Sequence, residues 1–302
     1  MSDTTYLKDN LAGFVPAEIS YEILGKVIWG SSVLRLSKVE MMNTESKKFS
    51  VFAEGVGAYW VGETERIQTS TPKWIFPTIT AKKLAVIIPV TKEKLEDSAI
   101  DVFGELQSLI AESFYKKIDS ACLFGTGSPF AQSIYGAATA NSMAVQIGTN
   151  AKLDLDVSDV MALVEAKGYD VNGFVGDISF KNSLRKLRDG NGNPLYIENI
   201  VDKQGNRYDS LYAQPIEFSR NGAWDSTKAL CIAGNWNYAI VGIREQIQYE
   251  VLREATLMSV TMGDSKPLSL SENDMVGIKA TMRLGFLPVK EDAFAMLTPA
   301  RT

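Results

Sequence analysis

Residues 47–63, KKFSVFAEGVGAYWVGE, and their return through KKLAVIIPV at 82–90 decide how this chain is read. Phe49, Val51 and Ala53 alternate on the way out, and Leu84, Val86, Ile88 and Val90 on the way back, the period of two that marks half-buried strands. The pair reads as a projecting two-stranded ribbon. Its excursion carries Trp60, Glu63, Glu65, Arg66, Lys73 and Trp74. Two strands alone are marginal in water and leave both tryptophans uncovered, so the ribbon calls for a partner surface, on this chain or on another.

Upstream, PAEISYEILGKVIWG at 16–30 predicts a helix. Pro16 suits a first helical position, Ile19, Ile23 and Val27 recur every fourth residue, and Gly30-Ser31-Ser32 stops it. Downstream, a longer helix is expected over 98–124. There Val102, Phe103, Leu106, Leu109, Ile110, Phe114, Ile118 and Ala121 recur at threes and fours, Ser98 and Asp101 have the form of a capping box, and Gly125 ends the run. At ~1.5 Å per residue this helix is about 40 Å long, comparable with a small domain's diameter. Leu106, Ile110 and Phe114 form one stripe on it, expected to be buried against a long C-terminal strand, while Glu112 and Lys116 make an i, i+4 pair on the polar face. In that strand Val276, Ile278, Ala280, Met282, Leu284 and Phe286 point one way, and Lys279, Thr281 and Arg283 the other.

With its parts in this order, the chain resembles the major capsid proteins of tailed bacteriophages, the shell proteins of the Hong Kong ninety-seven type. The likeness is carried by Pro16 and its helix, AYWVGE at 58–63, IPVTKEKLEDSA at 88–99, DSACLFGTGSPF at 119–130 and SENDMVGIKATMRLGFLPVKEDAFAML at 271–297. No one block is diagnostic, but five in the right order are specific together, and their character is that of capsid proteins from phages of Gram-positive bacteria. The resemblance implies an α+β fold with an N-terminal arm (1–15), an extended ribbon loop (41–87), a peripheral domain with a spine helix (16–40, 88–134 and 241–302) and an axial α/β domain (135–240). In the axial part LDVSDVMALVEAKGY at 155–169 supplies a helix, GFVGDIS at 173–179 a strand and FKNSLRKLRD at 180–189 a second helix.

The same resemblance implies a structural protein rather than an enzyme, self-assembling into an icosahedral shell that encloses the phage genome. Axial domains would meet in hexamers and pentamers, peripheral domains at threefold-like junctions, and the ribbon would lie over the adjacent subunit. Trp60 and Trp74 would then supply apolar area, and Glu63, Glu65, Arg66 and Lys73 charge pairs that fix register across the contact. Some members begin with a long internal scaffold segment, whereas fifteen residues precede Pro16 here. A separate scaffolding protein is therefore the expected partner, with a portal protein, and the expected location is the virion after assembly in the host cytoplasm. The lysine–asparagine crosslink of some members is not matched residue by residue and is not carried over.

Composition is that of a globular chain. The 302 residues are 45% hydrophobic and 22% charged, enough for a large core. No stretch approaches the ~20 apolar residues that span a bilayer, and MSDTTYLKDN lacks the form of a signal peptide, so no membrane is expected. The 31 basic and 36 acidic side chains give a formal net charge of -5, unlike the basic face of a protein that grips duplex DNA. Enclosed double-stranded DNA would be held without sequence-specific binding. Lys47-Lys48, Lys82-Lys83 and Lys116-Lys117 read as solvated edges, and Cys122 and Cys231 as buried free thiols.

Catalysis lacks its usual groups. The absence of histidine removes the commonest general base, the usual zinc ligand and every Ser-His or Cys-His dyad. Gly125-Thr126-Gly127-Ser128 has no GK[ST] after it and reads as a helix stop. DGNGNP at 189–194 spaces Asp189, Asn191 and Asn193 by two, yet Ile200 stands where a calcium loop needs glutamate and Pro194 where it needs glycine, which leaves a turn. The segment 202–206 reads as a connection between two short strands. No catalytic, cofactor-binding or metal-binding residue is expected. Two other readings stay open: an encapsulin-like compartment shell on the same fold, and a cytoplasmic carboxylate-dependent hydrolase using Asp97, Asp101 and Asp119, residues better read as the cap and polar face of the spine helix.

Overall fold

The computed structural model describes residues 30–54, 58–61, 63, 66, 69–71, 73–92, 102–150, 152–189, 191–201, 207–261 and 267–300. The N-terminal arm, the body of the helix expected over 16–30 and the capping box at Ser98 and Asp101 lie outside these residues. The described chain begins with α1 (Ser32–Leu36), β1 (Lys38–Met41), β2 (Ser46–Lys48), β3 (Val51–Glu54), β4 (Lys73–Ile75), β5 (Thr78–Thr80) and β6 (Lys82–Thr91). Helix α2 (Val102–Asp119) follows and runs on through a π-helical turn, Ser120–Phe124. Next come α3 (Ile134–Ala140), β7 (Ala144–Gln146), α4 (Leu153–Glu165), β8 (Gly173–Asp177), α5 (Lys181–Arg185), β9 (Tyr196–Val201), β10 (Arg207–Leu211), β11 (Gln214–Ser219) and β12 (Cys231–Gly234). The chain ends in β13 (Ala239–Leu252), β14 (Thr256–Thr261), β15 (Pro267–Ser269), β16 (Met275–Pro288) and β17 (Phe294–Thr298).

The C-terminal alternation builds the frame. β13 and β16 pair antiparallel along their length, with bulges on either side of Glu245, in a four-stranded sheet of order β1-β13-β16-β6. Ile278, Ala280, Met282, Leu284 and Phe286 are buried as expected and Val276 is half-buried. On the other face the charged residues pair across strands, Lys279 with Glu250 at 2.6 Å and Arg283 with Glu245 at 3.2 Å. Helix α2 contributes Ile110, Phe114 and Ile118 to the core that also holds Met282 and Leu284. Leu106, expected in the buried stripe, is half-buried, and Leu109, at the flank of the stripe, is 57% exposed. Gly125 closes the helix at φ 68°, the left-handed stop that glycine adopts without strain.

Two expectations are corrected. KKLAVIIPV does not return within the ribbon: β6 pairs with β16 from Lys82↔Leu284 to Thr91↔Met275. Alternation reports that one face is buried, not which neighbour buries it, and ten residues gain a full ladder on β16. The ribbon is instead made of the short pairs β2–β5 and β3–β4, and its loop closes at residue 81 rather than 87. The second correction concerns 241–302, expected wholly with the spine helix. β17 lies in the other sheet, of order β7-β17-β12-β8-β11-β10-β9, antiparallel to β12 and parallel to β7. Its consecutive buried residues Phe294, Ala295, Met296 and Leu297 need cover on both faces, which a central strand receives.

The seven-stranded sheet carries the remaining sequence expectations. α4 and β8 fall where a helix and a strand are expected in the axial part, whereas the second helix is the single short α5 after a 3₁₀ turn at Ile178–Phe180. Asp189 accepts hydrogen bonds from the backbone N–H of Asn191 (2.9 Å) and Asn193 (2.7 Å), so DGNGNP is a side-chain-capped turn. β9 and β10 pair antiparallel on either side of 202–206.

Candidate intersubunit surface

The ribbon loop begins and ends on a seat of glycine. Gly242 of β13 and Gly285 of β16 are direct cross-strand partners, and Met42 and Ile79 are buried over them with Ala81. A Cβ on Gly242 would lie 2.3 Å from Met42 Sδ, and one on Gly285 would lie 2.8 Å from both Ile79 Cγ1 and the Thr80 carbonyl oxygen. Only paired glycines admit the loop this close. Backbone hydrogen bonds complete the root: Met42 N–H to Ile243 O at 2.8 Å, Ala81 N–H to Glu45 O at 2.8 Å, and Phe49 N–H to Pro77 O at 3.0 Å. Glu40 pairs with Lys38 at 2.8 Å and Lys47 at 2.5 Å. Hydrogen bonds from these two lysines, Lys38 first, hold its carboxyl below the usual value.

Among the described residues Trp60, at the tip, has no such seat. Trp60 is 104% exposed, and Glu63, Arg66, Lys73 and Trp74 are exposed around it on the same excursion. Glu65 lies outside the described residues. β3 and β4 set Phe52 opposite Trp74 in register, so the ladder brings Lys73 and Trp74 back alongside the outgoing strand. Tyr59 and Phe76 are also exposed and were not singled out from sequence, although aromatic residues within three positions of Trp60 and Trp74 were the available signal. A further exposed side chain, Met258 on the hairpin of β14 and β15, carried no signal in sequence.

The carboxylates of the hydrolase reading are placed differently. Asp97 and Asp101 lie outside the described residues, and Asp119, expected on the polar face of the helix, is fully buried. It accepts hydrogen bonds from Ser31 Oγ (2.5 Å), Ser32 N–H (3.2 Å), Val33 N–H (3.3 Å) and Asn221 Nδ2 (2.6 Å). It thus ties the start of α1 and the 219–222 turn to the end of α2. Burial raises its pKa, against the pull of those hydrogen bonds. Cys122 and Cys231 are buried free thiols. Burial, and secondarily the charge of Asp119, raises Cys122 well above its usual value, and burial pushes Cys231 up to about 12. Both are therefore poor nucleophiles at neutral pH.

A long helix packed on a sheet of long strands, a second mixed sheet and a projecting loop with exposed aromatics are the parts of a viral shell subunit. The chain belongs to the phage capsid family, whose model matches residues 12–298. It is 32% identical over 299 residues to the major capsid protein of Staphylococcus phage 80alpha, covering 99% of this chain and 89% of that one. With the probable major capsid protein of Mycobacterium phage L5 it shares 24% identity over 294 residues, covering 95% and 89%. Among solved structures, one from Microbacterium phage Oxtober96 superposes with a TM-score of 0.76 at 26% identity, over 90% of this chain and 91% of its own. The chain is a structural capsid protein of a phage virion, forming the shell with further copies of itself.

Proposed function

We propose that the ribbon loop fixes neighbouring subunits in the shell, with Trp60 and Trp74 supplying apolar area and Glu63, Glu65, Arg66 and Lys73 setting register. The observation that carries this reading is Trp60, wholly exposed at the end of a loop whose root is buried. An indole buries on the order of 150–250 Å² in a contact. A few kcal/mol per contact, repeated over many heterologous contacts, gives a stable shell that still corrects errors while it assembles.

In this reading the seven-stranded sheet is the axial part, at the centres of hexamers and pentamers, and the four-stranded sheet with α2 is the peripheral part. β17 counts with the axial part. A separate scaffolding protein sets the shell's size, a portal protein is the other assembly partner, and double-stranded DNA is enclosed without sequence-specific binding after assembly in the host cytoplasm. Replacing 55–72 by an Asn-Gly turn tests the loop, since Glu54 and Lys73 are cross-strand partners and a two-residue turn suits such a pair. Subunits should stay soluble and unfold cooperatively, with no particles on sedimentation or in electron micrographs. Particles of parental stability would overturn the reading.

A further inference from the structure

We infer that α1 is a strap that sets the angle between the two parts of the subunit, with Asp119 and Arg35 as its positioning residues, and that this angle fixes the curvature of the shell. This rests on the reading of the four-stranded sheet with α2 as the peripheral part and of the seven-stranded sheet as the axial part. The chain from Gly30 to Met41 touches both. At its start Gly30 lies against the ring of Tyr115 on α2, where a Cβ would come within 2.6 Å of Cδ1. Ser31 Oγ and the N–H groups of Ser32 and Val33 then donate to the Asp119 carboxylate at the end of α2. Further along the strap, Arg35 Nη1 donates to Glu217 Oε2 of β11 at 2.8 Å, and β1 carries the chain into the four-stranded sheet beside β13.

A second tie meets at the same carboxylate. Asn221, in the turn that follows β11, donates from Nδ2 to Asp119 Oδ2 at 2.6 Å, and its own oxygen accepts from Ser219 Oγ and the Ala223 N–H, each at 3.0 Å. The axial part thereby aims this amide at α2. Beside the strap the two parts leave a cleft of about 360 Å³, walled by Glu112 and Tyr115 of α2 and Asp209 of β10, and the tying residues Arg35, Glu217 and Asn221 stand in it. Elsewhere the apolar core is continuous from α2 to the seven-stranded sheet. Apolar packing is non-directional, whereas hydrogen bonds fix distance and direction, so the polar ties at the open cleft decide the angle. Contacts between copies are carried by one part or the other. The angle therefore enters the rotation from copy to copy, and heterologous contacts close only where that rotation permits.

Cutting the ties tests this in the full-length chain. Arg35→Gln combined with Asn221→Ala removes both links to the axial part and leaves Asp119 its donors on α1. The unassembled subunit should stay folded, and its two buried thiols report where it loosens. Cys122, in the π-helical turn after Asp119, should react with a thiol reagent about tenfold faster than in the parent, while Cys231 in β12 should react at the parental rate. Particles should form but lose the single parental diameter, giving shells of mixed size and open sheets in electron micrographs. Arg35→Lys, which keeps the charge beside Glu217, should keep the parental diameter where Arg35→Gln loses it. If both thiols open alike, the variant is destabilised throughout and the inference falls. Uniform particles of parental diameter from the double variant would overturn it with the two-part reading intact. Folded subunits that form no particles would do the same, since these residues would then belong to a contact between copies. Should the double variant unfold, Arg35→Gln at its exposed site carries the comparison alone. The two-part reading itself falls on a separate result: averaged images of parental particles that place the seven-stranded sheet away from the centres of hexamers and pentamers.

Discussion

The root and the tip of the ribbon loop contain the same kinds of residue and meet opposite fates. Met42 and Ile79 at the root are buried, whereas Trp60 and Phe76 at the tip face solvent. Hydrophobicity does not separate them. The difference is a seat: the sheet below the root gives up two side chains, at Gly242 and Gly285, and the loop drops into the space. Nothing in the described chain offers the tip a comparable hollow. An apolar side chain without a seat in its own chain points to a seat on another molecule, so stability of the subunit and stability of the shell are divided along one loop.

That division can be broken from the core outward. Phe114→Ala should cost about 3–5 kcal/mol in urea unfolding of unassembled subunits, through lost burial and a cavity under the sheet that holds the root. A variant as stable as the parent would show that α2 does not support that sheet. Ile79→Ala should cost about 2–4 kcal/mol by the same measurement; a near-zero cost would mean that root and tip are equally dispensable to the fold. Gly285→Ala should cost about 1–3 kcal/mol, because the new Cβ meets the Thr80 carbonyl, which is backbone and yields poorly. Trp60→Ala should leave subunit stability within about 0.5 kcal/mol of the parent and lower particle yield. A destabilised Trp60→Ala subunit would erase the contrast.

Much of this was legible in sequence where one face of an element is buried and the other is not. The alternation of β16 gave its inward residues because a strand's period is two, and of the stripe expected on α2, Leu106, Ile110 and Phe114, the last two are buried and Leu106 is half-buried. Leu109 is exposed and Leu106 half-buried because apolar residues at threes and fours cover a wide arc, and only tertiary packing decides where that arc ends. The partner of KKLAVIIPV was not legible, since β16 lies nearly two hundred residues away in the chain and nothing local names it. The glycine seat was hidden for the same reason: Met42, Ile79, Gly242 and Gly285 carry no common pattern until the sheet brings them together. In the loop, sequence marked Trp60, Glu63, Glu65, Arg66, Lys73 and Trp74 as needing a partner surface without saying on which chain, because two short strands cannot enclose their own aromatics. Asp119 was misplaced because a carboxylate late in a helix ordinarily faces water, and its four donors come from segments about ninety and a hundred residues distant.

Asp119 also makes the subunit a proton acceptor. Its native pKa is raised above 3.8 by burial, so between that value and its native one the folded chain keeps a proton that the unfolded chain releases. By linkage, its contribution to stability is fully present below the unfolded value and is lost as pH rises through the native one. Glu40, held below 4.5 by Lys38 and Lys47, runs the other way: its contribution is present above the unfolded value and is lost as pH falls through the native one. In urea titrations at several pH values, the advantage of the parent over Asp119→Asn should therefore shrink as pH rises, while its advantage over Glu40→Gln should grow. Acidification would draw stability out of the loop root and into the joint between α1 and the spine helix, so that one chain responds to protons with two opposite slopes.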